Sequence, residues 1–373
     1  MRGAHIFCLL CHTTPIKEKA GKDMETFTVK PKLFFGADAL TALRGLAGKR
    51  VLVVTDGFLA SSGLLDKVRA RLTGGEVTVF DQVEPDPSLE LVAKGVRALR
   101  ACDPEAVVAF GGGSPMDCAK AVRWCADCAA PLWAVPTTAG TGSEMTAFAV
   151  VTDKERGIKH PLVDDALLPE YAVLDPALLD GVPPSVTADT GMDVLTHAAE
   201  AYVSTGATAF TDALAEKAFV LAYQNLPTAY RTPGGSPAKG TMLYASCLAG
   251  MAFNAAGLGI CHSLAHTLGG RLHMPHGRLN AILLPRVIAF NALQDTAAKK
   301  YARLAGLCGL AGSSRALTGA VNRLLTTLKL PRTLAVDDPK AVAAAALEDR
   351  CTAANPRKPS AADLEGILRE LAT

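Results

Sequence analysis

Short apolar runs of strand length alternate with helical patterns along the first half of the chain. The clearest runs are RVLVVTD from Arg50 and AVVAF from Ala106, and shorter ones start at Glu76 and Leu132. Segments with an apolar residue every three or four positions lie between them, for example at residues 88–100. Because strands that alternate with helices are typical of a covered parallel sheet, this half is predicted to be an α/β domain.

The second half of the chain has helical patterns only. After a last predicted strand at residues 172–175 and the helix-breaking pair Pro183-Pro184, segments rich in Ala, Leu and Glu continue almost to the end. The predicted helices cover 187–203, 210–230, 239–254, 260–268, 280–291, 296–307 and 361–371. We therefore place a domain boundary near Val186, between an α/β domain at 25–186 and an all-helical domain at 187–373.

Length and charge narrow the class of protein. A chain of 373 residues is long enough for two domains that each bury a core. Its 38 basic and 36 acidic residues leave a formal net charge of +2, which gives no reason to expect a nucleic acid or an anionic membrane as partner. No uncharged apolar run approaches the roughly 20 residues that a membrane helix needs. We expect a soluble protein.

The cysteines indicate a reducing compartment. The chain has ten, and Cys118, Cys247, Cys261 and Cys308 all lie within apolar patterned segments. Disulfide-stabilised scaffolds are small, secreted and rich in loops, so we expect reduced cysteines and a cytoplasmic protein. Two Cys-x-x-Cys pairs, at 8–11 and 125–128, have no partner pair at zinc-finger spacing, and we interpret them as chance.

The first residues differ from the rest of the chain. Residues 1–24 combine a short apolar stretch with charged residues and lack a small-residue cleavage site. We predict a disordered tail. Two alternatives are a natural start at Met24 and a short targeting helix.

Two glycine-rich turns follow successive predicted strands. The first is GGGSP from Gly111, and the second is TTAGTGSE from Thr137. Glycine lets backbone N–H groups approach phosphate oxygens, and the start of a helix favours negative charge. Ligands of parallel sheets bind beyond the carboxyl ends of the strands, so the two turns predict a nucleotide site. A tight strand-to-helix connection is the alternative interpretation of either turn alone.

Asp56 ends the RVLVVTD strand. A carboxylate in this place can accept hydrogen bonds from both hydroxyls of an adenosine ribose, which favours NAD over a 2′-phosphorylated cofactor. The alternative is that Asp56 caps the helix that follows, a common role for aspartate at such a turn.

Histidines are concentrated in one stretch of the helical half. Residues 259–277, GICHSLAHTLGGRLHMPHG, contain four of the eight histidines, at positions 262, 266, 273 and 276. His262 and His266 are four residues apart, as are Asp193 and His197, so each pair shares a helix face. We predict that Gly269-Gly270 end the helix and that Pro275-His276-Gly277 form a turn. A carboxylate with three imidazoles and an open position is a plausible metal site, and scattered structural histidines are the alternative.

Together these motifs resemble the iron-containing (group III) alcohol dehydrogenases. The resemblance runs from Phe27 to the end and is carried by FGGGSPMDCAK, PTTAGTGSE, the Asp193/His197 helix, GLGICHSLAHTLGG, PHGRLNAILLP and TAANPR. It implies a dehydroquinate-synthase-like fold, Fe²⁺ held by Asp193, His197, His262 and His276, NAD on the glycine turns, and a homodimer. Zn²⁺ would suit the same ligands.

The resemblance also implies cofactor and substrate residues. Phe148 stands where a relative has asparagine, which argues against a diol substrate. We assign cofactor binding to Asp56, Gly111, Gly112, Gly113, Ser114, Asp117, Thr137, Thr138, Thr141 and Lys159. We assign the substrate pocket to Phe148, Phe253, Leu258 and Cys351.

Within the family, DGFLASSGLLD, GIKHPLVDDALLPEYAVLDP and FTDALAEKA are most similar to the 1-propanol dehydrogenases of propanediol- and ethanolamine-utilising bacteria. This similarity implies short-chain primary alcohols and aldehydes as substrates, with propanal reduced to 1-propanol, and an association with a bacterial microcompartment shell. The reaction would take place in a cleft between the two domains. His266, one turn from His262, is predicted to relay the proton, with a structural role as the alternative.

Two other classes remain open at this point. A metal-dependent cyclising lyase of the dehydroquinate-synthase kind would need a basic pocket for a phosphorylated acid, and few Lys and Arg lie near the metal segments. A non-catalytic nucleotide-binding relative, or a microcompartment scaffold, would not need all four ligand candidates.

Overall fold

The computed structural model describes residues 26–156, 158–232, 234–272 and 274–372. These residues form two compact units. One contains residues 26–137 and Ser143–Asp175, and the other contains Thr138–Gly142 and residues 176–372. The tail predicted at 1–24 lies outside the described residues, as do the Cys-x-x-Cys pair at 8–11 and His273.

The first unit is built on strands that form a sheet and a separate hairpin. The strands are β1 (Lys32–Phe35), β2 (Val51–Asp56), β3 (Val77–Val83), β4 (Ala106–Gly111), β5 (Leu132–Pro136), β6 (Phe148–Asp153), β7 (Ile158–Val163) and β8 (Tyr171–Leu174). Six of them make a sheet in the order β1-β8-β5-β4-β2-β3, in which every neighbouring pair is parallel. Strands β6 and β7 pair with each other in antiparallel fashion. The α/β prediction is confirmed.

The central strands are apolar because they are buried throughout their length. In β2 the residues from Val51 to Val54 are at most 1% exposed, and all of β4 is buried. Continuous apolar runs are expected where both faces of a parallel sheet are covered. Each such valine or leucine contributes roughly 1.5–3 kcal/mol on burial, so these strands give a rigid base for the turns at their carboxyl ends.

Four α-helices accompany the strands in the described part of this unit. They are α1 (Gly57–Ser61), α2 (Leu64–Arg69), α3 (Leu89–Cys102) and α4 (Gly113–Cys125). Helix α3 starts where Ser88 accepts a hydrogen bond from the N–H of Leu91, a serine N-cap. Helices α3 and α4 pack against each other, with α3 against β3 and α4 against β4.

Strand β1 and the hairpin were not predicted. Strand β1, KLFF, is short, and it pairs with β8, which is far away in the sequence. The hairpin contains Pro161, and although burial alternates along β6, its sequence FAVVTD does not alternate between apolar and polar residues. Neither element has a pattern of its own that is long enough to be recognised.

The second unit is mostly helical, as predicted. Its α-helices are α5 (Pro184–Val203), α6 (Ala209–Arg231), α7 (Pro237–Ala256), α8 (Ile260–Leu272), α9 (His276–Asn291), α10 (Asp295–Leu307), α11 (Ser314–Thr327), α12 (Pro339–Glu348) and α13 (Ala361–Glu370). Helices α11 and α12 were not predicted. Helix α5 packs against α6, α7 and α9, and it is buried almost all round from Thr187 to Val203. A helix without a polar face is expected at the centre of a bundle.

The break between the units falls after Asp175, earlier than the boundary predicted near Val186. The ammonium group of Lys239, on α7, donates to the carbonyl oxygens of Leu179, Asp180 and Val182 over 3.1, 3.1 and 3.3 Å. These bonds tie the residues before α5 to the helical unit. The connecting segment has no helical periodicity, so its association could not be read from the sequence.

Two local predictions in the histidine stretch are wrong. Helix α8 does not end at Gly269-Gly270 but continues to Leu272, and neither glycine has a positive φ. His276 does not lie in a turn, because it is the first residue of α9, which begins four residues earlier than predicted.

No single helix in the described ranges is long and apolar enough to span a bilayer. Helices α7 and α8 together have the length and apolar composition of a membrane span, but the chain bends by 103° between them. Among the cysteines that the structure describes, Cys118, Cys247 and Cys261 are buried and Cys308 is half-buried.

Candidate metal and nucleotide sites

Asp193, His262 and His276 come together in the helical unit, from α5, α8 and α9. Oδ1 of Asp193 lies 3.8 Å from Nε2 of His262 and 3.8 Å from Nε2 of His276. The ligand atoms of all three lie within 4.8 Å of one another. The side chain of His276 is 39% exposed, whereas the other two are buried. A carboxylate and two imidazoles that face one point, with access from solvent, can hold a catalytic metal ion.

Asn280 shows that this point suits a cation. Its amide nitrogen lies 2.8 Å from Oδ1 of Asp193 and 3.1 Å from Nε2 of both His262 and His276. An amide carries only two protons, so it cannot give each of these three acceptors a proton of its own. The donor set therefore fits a divalent ion, which could bond to all three ligand atoms at once. Sequence reasoning missed Asn280, although it follows His276 by one helical turn.

His197 lies against this cluster but is not within the same 4.8 Å group. Its ring stacks on His262, with 4.5 Å between ring centroids, and on Phe253, with 4.4 Å. Burial lowers the pKa of His197, which favours the neutral ring that a metal ligand requires. Its Nδ1 is buried, and it forms no hydrogen bond with any residue that the structure describes. An orphaned buried nitrogen costs roughly 1–3 kcal/mol, and a metal bond would offset that cost.

The close approach of α9 to α5 explains the Pro-His-Gly motif. A Cβ on Gly277 would stand 2.1 Å from the carbonyl oxygen of Asp189, so any other residue would push the helices apart. Beside it, the guanidinium of Arg278 makes two hydrogen bonds of 3.0 Å to the carboxylate of Asp189. These contacts place His276 opposite Asp193.

Glu200 is a functional candidate that sequence reasoning missed. Its Oε2 lies 2.5 Å from Nδ1 of His262, and its Oε1 accepts a hydrogen bond from the N–H of Cys261 over 2.7 Å. Burial raises the pKa of Glu200 to about 8, although nearby backbone N–H groups oppose the shift. A carboxylate on one ring nitrogen directs the other nitrogen to a metal. A Cβ on Gly259 would stand 2.8 Å from Oε1 of Glu200, which explains the glycine there.

His266 has a partner of its own. Its Nδ1 lies 2.9 Å from Oδ2 of Asp349, which precedes a 3-10 turn at Arg350–Ala354. Burial works to raise the pKa of Asp349, but the hydrogen bond and charge of His266 outweigh it and lower the pKa to about 2. Asp349 is therefore a carboxylate that accepts the Nδ1–H and fixes the ring. Asp349 also escaped sequence reasoning, since nothing in its local pattern marks it.

The first glycine turn has the form of a phosphate cradle. Gly111 has a φ of 150°, and a Cβ there would stand 2.5 Å from Cγ of Pro115. Helix α4 begins at Gly113, and no side chain in the described part of the chain caps its first turn. Ser114 lies in that turn, so its backbone N–H and those of its neighbours can receive an anion. This arrangement fits a dinucleotide.

The second turn is divided between the two units. The N–H of Thr137 donates to the carbonyl oxygen of Gly111 over 3.0 Å, within the first unit. Thr138 and Thr141 are half-buried in the second unit. There a Cβ on Gly142, with φ of 60°, would stand 2.8 Å from Cα of Gly250. The glycine is required by this close backbone approach.

A buried network holds the residues after the second turn. The ammonium group of Lys120 donates to the carbonyl oxygens of Ser143, Thr146 and Phe148 over 2.6, 2.8 and 2.8 Å. Both oxygens of Asp117 are engaged, Oδ1 by the hydroxyl of Ser143 and Oδ2 by the N–H of Val150. Asp117 thus holds the start of β6, and its assignment to the cofactor stays a prediction.

Asp56 caps the helix that follows it, which is one of the two roles considered for it from the sequence. Its Oδ1 accepts a hydrogen bond from the N–H of Leu59 over 2.8 Å, at the start of α1. Within the part of the chain that the structure describes, its Oδ2 accepts no hydrogen bond. One oxygen thus caps α1 and the other is available for a ribose hydroxyl, so the two roles are compatible.

The remaining predicted residues lie in different places. The ammonium group of Lys159, on β7, pairs with Oδ1 of Asp86 over 2.7 Å. Phe148 starts β6 in the first unit. In the second unit Phe253 is buried on α7, and Leu258 is half-buried between α7 and α8, as is Cys351 in the turn after α12. The lining of one pocket by these residues stays a prediction.

Comparison with known families decides the class of protein. Residues 30–176 match the sequence model of the iron-containing alcohol dehydrogenases, and residues 187–372 match that of the C-terminal part of the Fe-containing alcohol dehydrogenase family. The chain belongs to the iron-containing alcohol dehydrogenase family. It is therefore an oxidoreductase of alcohols and aldehydes with a dehydroquinate-synthase-like fold.

Individual relatives agree with this membership. The 1-propanol dehydrogenase PduQ of Salmonella typhimurium is 44% identical, over 93% of this chain and 100% of its own length. The crystal structure of a 1,3-propanediol oxidoreductase superposes with a TM-score of 0.88 at 37% identity, over 93% of this chain and 100% of that one. A sulfoacetaldehyde reductase from Bifidobacterium kashiwanohense in complex with NAD⁺ superposes with a TM-score of 0.86 at 28% identity, over 94% and 99%.

In this alcohol dehydrogenase the structure adds Glu200, Asn280 and Asp349 to the predicted site. Each contacts a histidine that the sequence pointed to: Glu200 bonds His262, Asn280 lies between His262 and His276, and Asp349 bonds His266. A polar residue beside each candidate ligand is the usual means of fixing an imidazole.

Proposed function

We propose that this alcohol dehydrogenase reduces short unbranched aldehydes, propanal among them, to primary alcohols with NADH and a divalent metal ion. The observation that carries the metal dependence is the convergence of Asp193, His262 and His276 within 4.8 Å, with the orphaned Nδ1 of His197 beside them. We propose all four as ligands and Fe²⁺ as the ion, in line with the family. Zn²⁺ suits the same donors, and metal analysis distinguishes the two.

The chemistry divides between the bound groups and the chain. A bound metal ion supplies Lewis-acid polarisation of a carbonyl, and NADH supplies hydride. Glu200 orients His262, and Asn280 holds Asp193 in place. His266, whose Nδ1 is held by Asp349, presents Nε2 to hold or release the proton that the product oxygen needs.

The nucleotide assignment rests on the first glycine turn and on Asp56. The cradle at Gly111 excludes any Cβ, and the uncapped start of α4 offers N–H groups to a pyrophosphate. The free Oδ2 of Asp56 supports NAD over NADP. The NAD⁺ complex of the related sulfoacetaldehyde reductase supports the same nucleotide.

The substrate assignment rests on the apolar candidates and on the related 1-propanol dehydrogenase. Phe148, Phe253, Leu258 and Cys351 offer few partners for a second hydroxyl, so unbranched aldehydes of about two to four carbons should be preferred over hydroxy-aldehydes. A panel of aldehydes tests this order. A higher kcat/KM for lactaldehyde than for propanal would refute it.

We also propose that the enzyme is a cytoplasmic homodimer that associates with a bacterial microcompartment. The support is the family and the name of the PduQ relative. Light scattering measures the oligomeric state, and co-purification with shells measures the association.

One experiment tests the function as a whole. NADH oxidation by propanal is measured anaerobically in enzyme stripped of metal and after reloading with Fe²⁺ or Zn²⁺, in the native chain and in His276→Ala. We expect activity only with metal, and we expect His276→Ala to lose metal and activity together. Full turnover in a metal-free sample would end this proposal.

A further inference from the structure

Cys351 lies beside the pair formed by His266 and Asp349, all within the helical unit. Asp349 caps the 3-10 turn Arg350–Ala354, because its Oδ1 accepts a hydrogen bond from the N–H of Cys351 over 2.8 Å. A ring nitrogen of His266, a carboxylate oxygen of Asp349 and the sulfur of Cys351 all lie within 4.8 Å of one another. The group is separate from the group of Asp193, His262 and His276.

The three donors differ in kind from those of the first group. Imidazole nitrogen, carboxylate oxygen and thiolate sulfur are all ligands of Zn²⁺, and a thiolate favours zinc and other soft or borderline ions over magnesium or calcium. One thiolate and one carboxylate also neutralise a divalent cation, which limits its repulsion of a second ion nearby. The first group has a single carboxylate and keeps a net positive charge when loaded.

The surroundings hold these donors in place and leave them accessible. The hydroxyl of Ser263 lies 3.3 Å from Oδ1 of Asp349, and the hydroxyl of Thr352 lies 2.8 Å from that of Ser263. The side chains of His266 and Asp349 are 38% and 20% exposed, and Cys351 is half-buried. An ion can therefore enter from solvent, and water can complete its coordination.

We propose that His266, Asp349 and Cys351 form a second metal-binding site, for a thiophilic divalent ion such as Zn²⁺. Binding forms a sulfur–metal bond and releases the thiol proton to solvent; where Nδ1 of His266 is the ligand, its proton is replaced by the ion and Nε2 carries the proton of the neutral ring, with no change of oxidation state. Burial raises the pKa of the Cys351 thiol, so the ion has to displace this proton. An ion at this site withdraws His266 from proton transfer and inhibits turnover. That consequence rests on the proposed function, whereas the binding does not.

Cobalt distinguishes the two sites by spectroscopy. Enzyme that holds one equivalent of Fe²⁺ is titrated anaerobically with Co²⁺, and near-ultraviolet thiolate-to-cobalt charge transfer is recorded. The first site offers no sulfur, so this absorption reports Cys351 alone. We expect it to appear with about one equivalent of Co²⁺. It should vanish in Cys351→Ser and persist in Cys308→Ser, a half-buried cysteine elsewhere in the same unit.

Asp349→Asn provides a second variant that keeps the thiol. Removal of a carboxylate ligand should weaken Co²⁺ binding at least about tenfold, because even the loss of a residue that only contacts a ligand lowers metal affinity by about that factor. The charge-transfer absorption should still appear when Co²⁺ is saturating. Absence of the absorption in the native chain, or its persistence in Cys351→Ser, would overturn the proposal.

Zinc inhibition gives an independent readout. Zn²⁺ should inhibit the iron-loaded enzyme while iron stays bound, as metal analysis after gel filtration would show. In Cys351→Ser, the Zn²⁺ concentration that halves the activity of that variant should be at least about tenfold higher than in the native chain. Loss of iron in proportion to inhibition would assign the effect to exchange at the first site and contradict the proposal. Charge transfer in an enzyme that proves inactive towards aldehydes would refute the proposed function and leave this site standing.

Discussion

Nδ1 of His266 donates a hydrogen bond to Oδ2 of Asp349 over 2.9 Å, although 83 residues separate the two. The carboxylate fixes the ring and the tautomer, so Nε2 is the nitrogen that can exchange a proton. A buried aspartate has this role beside the catalytic histidine of serine proteases. Asp349 is thus a positioning residue for the predicted relay.

Replacement of Asp349 tests this role. Asp349→Asn keeps the size of the side chain but removes the negative charge, so kcat should fall by roughly 10² or more while KM for the aldehyde changes much less. Steady-state kinetics of the metal-loaded enzyme measure both values. Asp338→Asn is the control, because Asp338 caps α12 through the N–H of Ala341 and is exposed. An unchanged kcat would show that His266 needs no oriented partner.

Glu200 should contribute to metal retention through His262. Above about pH 8, where Glu200 is ionised, the amide of Glu200→Gln cannot carry the negative charge that raises the basicity of the ring, so affinity for the metal should fall by about 10–100-fold. Competition with a chelator, measured anaerobically, gives the dissociation constant. Glu216→Gln is the control, since Glu216 bonds Arg303 and Tyr202 instead. Equal constants in the native chain and Glu200→Gln would remove Glu200 from the site.

Asp56 should select NAD(H) by repelling a 2′-phosphate. Like charges about 4 Å apart repel by roughly 4 kcal/mol at an effective dielectric of 20, before screening reduces it. At about 1.4 kcal/mol per tenfold, we expect a preference for NADH over NADPH of about 10- to 1,000-fold in kcat/KM. Asp56→Gly should raise NADPH use and weaken NADH binding.

The cap made by Asp56 provides the control for that experiment. Asp56→Asn can still accept from the N–H of Leu59 but has no charge, whereas glycine costs an N-cap only a few tenths of a kcal/mol. Both variants should move the NADH to NADPH ratio in the same direction with little loss of stability. A ratio near one in the native chain, or a loss of stability without a shift in ratio, would leave Asp56 as a cap alone.

Glu144 should make stability depend on pH. Burial raises its pKa to about 7, and its Oε1 has no hydrogen-bond partner among the described residues. Between the unfolded value of about 4.3 and the folded value, the folded chain binds more protons than the unfolded chain, so stability contributed by this group falls as pH rises through that window. Glu144→Gln removes the titration and should be more stable than the native chain at pH 8 but not at pH 4.

Thermal unfolding across this pH range measures the difference between the two proteins. Glu155→Gln, an exposed change in the same unit, should follow the native chain at every pH. If Glu144→Gln also follows the native chain, then Glu144 is ionised in the fold without cost.

Local patterns alone determined a large part of this protein. The apolar runs at Arg50, Ala106 and Leu132 correspond to β2, β4 and β5, because a strand covered on both faces must be apolar throughout. The glycines of both turns also indicated places where the backbone takes a conformation, or lies so close to a neighbour, that a side chain would not fit. Gly111 and Gly142 have positive φ and close neighbours, a constraint that only glycine meets. The spacing of four between His262 and His266 placed them on one helix.

Only the tertiary structure decided which side chains meet. Glu200 reaches His262, Asp349 reaches His266, and Asn280 bridges His262 and Asp193 across separate helices, and none of these residues stands out in its own segment. The close approach of α9 to α5 at Gly277 and Asp189, and the pairing of β1 with β8, are likewise contacts between distant parts of the chain. The periodicity of apolar residues indicates which face of a helix or strand is buried. It does not indicate which distant residues form hydrogen bonds, because those pairs are decided by how the helices pack.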